Sequence, residues 1–327
     1  MDKNKIAIIM CVNNDLYFDE CMYYLNKLNI PEGYQVDLYD VRDAESIYAG
    51  YNEAMEASDA KYKLYIHQDM FLLDPDILQK SISFFESHPK CGLLGLIGGD
   101  KKPDNRLFYL AWNKGKIIFS SNDVNHMKLN NFSSEDSKVF AVDGMFMMTQ
   151  YDLPWRSDVL DGWDMYDFSQ SLEFQKAGYE VWVPGQEMPW ALHDCGRLSV
   201  ANYDRRLEKF LSVYKADFDT DAILAQPLVY PEENRKKQAM MMELKENLKT
   251  LLTNGLTKEV LGALSSAFDI RFYDTELLYI AEIASNPVYK ELIEKSSSYK
   301  EIYEGFLRKR FDTIRTTDYY ALIKAGK

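Results

Sequence analysis

The sequence predicts an α/β fold, a doubly wound sheet flanked by helices and followed by an all-helical C-terminal region. Three observations predict it. The run Ile6-Ala7-Ile8-Ile9-Met10-Cys11-Val12 is apolar without interruption, as a strand buried on both faces of a sheet must be. Four strand–helix alternations follow one another in roughly the first hundred residues. Beyond Asn202 the pattern changes: Pro227 and Pro231 bracket a join, and the later segments repeat apolar residues at helical spacing.

Each element has its own local reason. Asn13-Asn14-Asp15 breaks the first strand and offers helix caps. The helix that follows carries Phe18, Cys21, Met22, Leu25 and Leu28 at three- and four-residue spacing. Pro31-Glu32-Gly33 turns the chain into a second strand over 35–39, and a helix over 46–57 leads to a third over 62–66. Asp74-Pro75 predicts a helix with an N-cap and a proline at its first position, its inner face formed by Ile77, Leu78, Ser81, Ile82 and Phe85. A fourth strand is expected over 91–97. From 98 to 162 the pattern loosens, with short strand-like pieces at 116–119 and 138–142. A helix over 167–177 is stopped by Gly178, and 180–184 read as one more strand. C-terminal helices are expected over 232–252, 257–268, 275–284 and 299–310. The division is placed at 1–220 for the sheet domain and 221–327 for the helical region.

Composition narrows the function. The 327 residues are 46% hydrophobic and 27% charged, which excludes a disordered chain or a disulfide-knotted miniprotein. Lys plus Arg number 38 against 51 for Asp plus Glu, a net charge of −13 with no basic stripe, so nucleic acid is not an expected partner. The apolar run near the N-terminus is too short for a signal-peptide core or a membrane span. Cys11, Cys21, Cys91 and Cys195 are scattered without a CxxC pair. They read as reduced thiols of a cytoplasmic protein, without a structural zinc site.

The strand ends carry the candidate chemistry, because open α/β sheets bind ligands at their carboxyl edge. The first turn lacks GxGxxG, and neither GxxxxGK[ST] nor GxSxG occurs, which disfavours dinucleotide-binding, P-loop and α/β-hydrolase sites. Gly95-Leu96-Ile97-Gly98-Gly99 reads as a tight strand exit before a phosphate cradle. His67-Gln68-Asp69 follows the third strand and sends an imidazole and a carboxylate to the same side, a donor pair for Mn²⁺ or Mg²⁺ or a hydrogen-bonded strand terminus. Asp161-Gly162-Trp163-Asp164-Met165-Tyr166-Asp167-Phe168 enters a helix that Asp164 or Asp167 would also fit as a cap. His193 follows an apolar run and precedes Asp194-Cys195-Gly196-Arg197, fitting a core histidine as well as a ligand.

These clusters, in this order, resemble a family 2-type glycosyltransferase with the GT-A nucleotide-sugar fold, in particular a bacterial subgroup with His-Gln-Asp in place of Asp-x-Asp. The resemblance runs from about Lys5 to Asn202. It is carried by the first strand, by Ser46-Ile47-Tyr48-Ala49-Gly50-Tyr51-Asn52-Glu53-Ala54-Met55, by Tyr65-Ile66-His67-Gln68-Asp69-Met70 and by Val142-Asp143-Gly144-Met145-Phe146. Gly162-Trp163-Asp164-Met165-Tyr166-Asp167, Gly178-Tyr179-Glu180-Val181-Trp182-Val183-Pro184 and His193 complete it.

The resemblance implies a GT-A-like, doubly wound mixed sheet and assigns roles. Asp69 matches the second Asp of Asp-x-Asp and would bind the metal, Mn²⁺ or Mg²⁺, that bridges the donor diphosphate. His193 would complete the metal site. His67 stands where the first Asp meets ribose or metal, and Gln68 lies between them. Cys11, Val12 and Asn13 would line the nucleoside pocket, Asp40 and Arg42 would hold the base, and Asn52 lies on the helix closing that pocket. Arg197 would meet the diphosphate or remain an ordinary surface arginine. Tyr166-Asp167 aligns with the family's Glu-Asp pair without the Glu, which makes Asp167 the expected general base and Asp164 the second candidate.

The implied activity is inverting, metal-dependent transfer from a nucleotide sugar, with a UDP-sugar as leading donor, to a hydroxyl of a glycan, glycolipid or glycoprotein. The Gln-x-x-Arg-Trp motif of processive synthases is absent, so one sugar per encounter is expected. The helical region would shape the acceptor site, dimerise, rest on a membrane, or serve only as a structural bundle. The competing readings are a catalytically silent nucleotide- or glycan-binding module and, more weakly, a nucleotidyltransferase. The latter lacks its glycine- and lysine-rich phosphate loop near the first strand.

Overall fold

The computed structural model describes residues 1–120, 127–195, 202–226, 231–267 and 275–326. The chain divides into two compact units: Met1–Phe119, Leu129–Asp194 and Tyr203–Leu228 form one, and Ser120–Lys128, Cys195–Asn202 and Val229–Lys327 the other.

The first unit is built on strands β1 (Asp2–Val12), β2 (Gln35–Arg42), β3 (Ala60–Ile66), β4 (Met70–Leu72), β5 (Cys91–Gly95), β6 (Ile97–Gly99), β7 (Lys114–Ser120), β8 (Met127–Asn131), β9 (Ser137–Lys138), β10 (Ala141–Val142), β11 (Phe146–Thr149), β12 (Glu180–Val183) and β13 (Ala191–His193). Its helices are α1 (Asp15–Leu25), α2 (Ile47–Ala57), α3 (Ile77–Ser87), α4 (Tyr166–Lys176), α5 (Tyr203–Val213) and α6 (Thr220–Leu224). The main sheet runs β2-β1-β3-β11-β5-β12-β9, and a second sheet runs β10-β6-β7-β13-β4 with β8 on β7. Strands β1, β2 and β3 are parallel, while β11 lies antiparallel between β3 and β5. The sheet is therefore mixed, and the predicted doubly wound α/β architecture with a helical C-terminal region is observed.

Burial explains the order. Ile6, Ala7, Ile9 and Met10 are wholly buried in β1, which has a partner on each side. The second strand alternates between exposed and half-buried residues because it forms the sheet edge. Asn14 caps α1 by accepting from the Leu16 and Tyr17 amides, and Ser46 caps α2 by accepting from Ala49.

Several expectations are corrected. The buried face of α1 is formed by Tyr17, Glu20, Cys21, Tyr24 and Leu25, with Phe18 and Met22 only half-buried. Specific partners turn the helix: Tyr24 stacks on Phe71 at 5.1 Å, and the Tyr17 hydroxyl donates to Asp194. The third helix begins at Ile77, two residues later than Asp74-Pro75 predicts, because the Asp74 carboxylate accepts from the Asp76 amide and holds a turn there. The expected strand over 91–97 breaks at Leu96, and that over 138–142 splits into β9 and β10. At Gly95 an added Cβ would meet Val142, and at Gly98 it would meet the Ala141 carbonyl. These glycines permit close strand packing rather than cradling phosphate.

The second unit consists of α7 (Pro231–Thr253), α8 (Thr257–Ala267), α9 (Thr275–Ser285), α10 (Lys290–Lys295), α11 (Tyr299–Thr316) and α12 (Tyr319–Lys324). Leu248, Leu252, Val260, Leu264, Ile280, Ile283, Ile302 and Phe306 fill its core. No helix among the described residues is long and apolar enough to cross a membrane.

Candidate functional site

The carboxyl edge of β3 is where distant segments meet. Past Ile66 the His67 amide donates to the Met145 carbonyl at 3.1 Å, since β11 enters the sheet beside the point where β3 leaves it. On the other side, β13 pairs with β4 in a register that sets His193 opposite Met70. The Asp194 amide closes that corner on the Asp69 carbonyl at 2.8 Å.

This pairing brings His67, Asp69 and His193 together with one ligand atom from each, all within 4.8 Å of one another. Asp69 Oδ1 lies 3.3 Å from His193 Nε2 and 3.8 Å from His67 Nδ1. Metal–ligand bonds of about 2.0–2.2 Å place neighbouring donors about 3–4 Å apart, so the spacing suits one divalent ion. The protonation states suit it too. Burial lowers the His67 pKa, keeping a neutral ring with a lone pair. Burial alone would raise that of Asp69, but the two imidazoles override it and hold the carboxyl at about 2. Two imidazoles and an ionised carboxylate form a donor set for first-row divalent ions, including Mn²⁺.

Gln68 is half-buried and reaches across to the end of β1. Its carbonyl accepts from the Asn13 and Asn14 amides, each at 3.1 Å, and its amide donates to Asn13 Oδ1, tying the ends of β1 and β3 together. Cys11 and Val12 end β1; Cys11 is half-buried, with its thiol pushed up to about 12 by burial and the nearby Glu53. Asp40 and Arg42 end β2 in the register that pairs Met10 with Asp40 and Val12 with Arg42. Arg42 is exposed, bonded to Asp40 at 3.0 Å and Asp15 at 2.7 Å. Asn52 exchanges hydrogen bonds with the Trp155 backbone, both at 2.8 Å, and also donates to Ser157, so its amide is engaged within the fold. Arg197 lies outside the described residues.

The start of α4 supplies the acidic group. The helix is preceded by Met165 in the left-handed region at φ 64°, with no side-chain cap, so neither Asp164 nor Asp167 is its N-cap. Asp164 is paired with Arg206 of α5, and its carbonyl accepts from the Tyr48 hydroxyl at 3.0 Å. Arg206 packs over Gly162, where an added Cβ would strike the guanidinium. Asp167 has no cationic partner among the described residues; its carboxylate accepts from the Phe168 amide at 2.8 Å and the Gly144 amide at 3.3 Å. Burial first, and then the charges of Asp143 and Asp164, raise its pKa to about 8 against those two bonds. A carboxylate held near neutral pH is suited to proton transfer.

Two participants escaped the sequence reading. Tyr166 hydrogen-bonds His67 Nε2 through its phenol, although the sequence shows only a tyrosine in place of an acidic residue. Arg206 lies beyond the resembling segment, and nothing in its local pattern marks it as the partner of Asp164.

The description "Glycosyltransferase like family" matches residues 7–214 of the chain, a span that takes in every site residue above. The chain belongs to this glycosyltransferase-like family. No curated protein matches it. Among solved structures, the glycosyltransferase is similar at 12% identity to a mannosyltransferase from Pyrobaculum calidifontis in complex with GDP-Man and Mn²⁺, over 95% of this chain and 87% of that one, with a TM-score of 0.44. It is similar at 12% identity to S. aureus TarS 1–349 in complex with UDP-GlcNAc, over 97% and 93% of the two chains, with a TM-score of 0.42. At such distances the assignment rests on the family match.

Proposed function

We propose that this glycosyltransferase is inverting and metal-dependent, and moves one sugar from a nucleotide diphosphate donor, with a UDP-sugar first, to a hydroxyl of a glycan, glycolipid or glycoprotein. The observation that carries this reading is the meeting of His67, Asp69 and His193 with the start of the helix that bears Asp167. Catalysis is assigned to residues 1–220.

His67, Asp69 and His193 would hold the ion, Mn²⁺ before Mg²⁺ because two donors are imidazoles. When bound, it supplies positive charge that stabilises the departing nucleoside diphosphate. Cys11, Val12 and Asn13 would flank the nucleoside, with Asp40 and Arg42 beside the base. Gln68 and Asn52 shape this edge through the protein bonds that engage their amides. Asp167 takes the acceptor proton as the hydroxyl oxygen bonds to the anomeric carbon and the bond to the diphosphate oxygen breaks. One displacement inverts that centre. Asp164, paired with Arg206, shapes the loop, while burial and Asp143 keep the Asp167 pKa high.

The test is calorimetric binding of UDP, GDP and CDP, each with and without Mn²⁺, to wild type and Asp69→Ala. Metal-dependent binding of one diphosphate, lost in the variant, supports the reading and identifies the donor base. Absence of binding under every condition overturns it. Binding without sugar transfer across an acceptor panel would instead identify a silent nucleotide-binding module.

A further inference from the structure

The geometry points to Tyr166 as a positioning residue that fixes the ring of His67 for metal ligation and ties it to the turn of helix carrying Asp167. The inference rests on the metal reading of the His67, Asp69 and His193 cluster. His67 has two ring nitrogens with different tasks: Nδ1 faces Asp69 at 3.8 Å, while Nε2 is hydrogen-bonded to the Tyr166 phenol. For Nδ1 to offer a lone pair, the neutral ring must carry its proton on Nε2, and the phenol oxygen is placed to accept it. A ligand histidine is oriented in this way by the group that takes its second N–H.

Tyr166 is held firmly enough to impose that choice. It is 5% exposed, meets Tyr48, Tyr51 and Trp155 through its ring, and lies over Gly144, where any Cβ would collide with the phenol. The absence of a side chain at Gly144 is therefore what admits the hydroxyl to His67. Asp167 is the next residue along, and it accepts from the amide of that same Gly144. The metal ligand and the proposed base thus share one support, Tyr166 on Gly144. A shift of the phenol reaches both sites.

The test compares wild type, Tyr166→Phe and His193→Ala by Mn²⁺ titration followed by electron paramagnetic resonance, together with ¹⁵N-histidine NMR of the metal-free and Zn²⁺-loaded proteins. Wild type should show His67 in a single tautomer, with the proton on Nε2 once Zn²⁺ is bound. Tyr166→Phe should weaken Mn²⁺ binding by about tenfold or more and turn the His67 signal into a mixture of tautomers, with the fold retained by circular dichroism. His193→Ala should lose the metal while leaving the His67–Tyr166 bond. A His67 spectrum unchanged in Tyr166→Phe overturns the inference whatever the metal affinity does. A wild-type ring already mixed between tautomers overturns it without any variant. If wild type binds no Mn²⁺, the metal reading fails, while the metal-free spectra still decide whether Tyr166 controls the ring.

Discussion

Replacing Asp167 by asparagine should stabilise the protein while disabling it. The wild-type carboxyl has a folded pKa of about 8 against an ordinary 3.8, because it is partly buried near Asp143 and Asp164 with no cation opposite among the described residues. Raised above its unfolded value, the group contributes stability that is fully present below pH 3.8 and is lost as pH climbs through 8. The gap between those values sets a ceiling of about 6 kcal/mol. The carboxylate is only half-buried, and solvent screening brings the expected cost of ionising it to about 2 kcal/mol. Asparagine keeps the shape and cannot ionise, so the stability difference should be small near pH 4 and grow to ~2 kcal/mol by pH 9, a rise of a few degrees in melting temperature. Thermal denaturation of both proteins across pH 4–9 reads this directly. A difference that stays flat with pH, or a variant less stable at pH 9, would refute the account of the buried charge.

The same carboxylate is the proposed base. Transfer should rise with pH toward 8, and Asp167→Asn should reduce kcat by a factor of about 10²–10⁴ while Asp164→Asn costs under tenfold; equal losses in a steady-state transfer assay would move the base to Asp164. Gln68→Ala removes the acceptor of two partly exposed backbone amides and should cost ~0.5–1.5 kcal/mol by urea denaturation, with Mn²⁺ affinity changed by less than about threefold. A large loss of metal with unchanged stability would make Gln68 a ligand-side residue instead. Gly50→Ala would set a Cβ 2.9 Å from both Ala44 Cβ and Cys11 Sγ, so ~1–3 kcal/mol of destabilisation is expected from denaturant unfolding.

The parts legible in the sequence were those with local causes. The apolar run of β1, the Asn14 cap and the buried face of α3 each follow from a few neighbouring residues, and each appears where expected. His67 and Asp69 were visible because two residues after a strand share a side. His193 became readable as their companion only through the resemblance, since its approach depends on the pairing of β13 with β4. Tertiary partners account for the misses. Tyr24 finds Phe71 and rotates α1, Asp164 finds Arg206 instead of capping α4, and Tyr166 finds His67 across 99 residues of chain. None of these pairings leaves a periodic mark.

The reversed strand in the middle of the sheet also bears on how the chain matures. While the polypeptide emerges from its N-terminus, β3 can pair with β1 at once, but its other edge awaits β11, 80 residues further along the sequence. Until then Leu64, Tyr65 and Ile66, all but wholly buried in the finished fold, border an open strand edge. The antiparallel insertion that brings Met145 beside His67 thus leaves the growing chain with an adhesive seam until β11 has emerged, an interval in which a chaperone would have the most to shield.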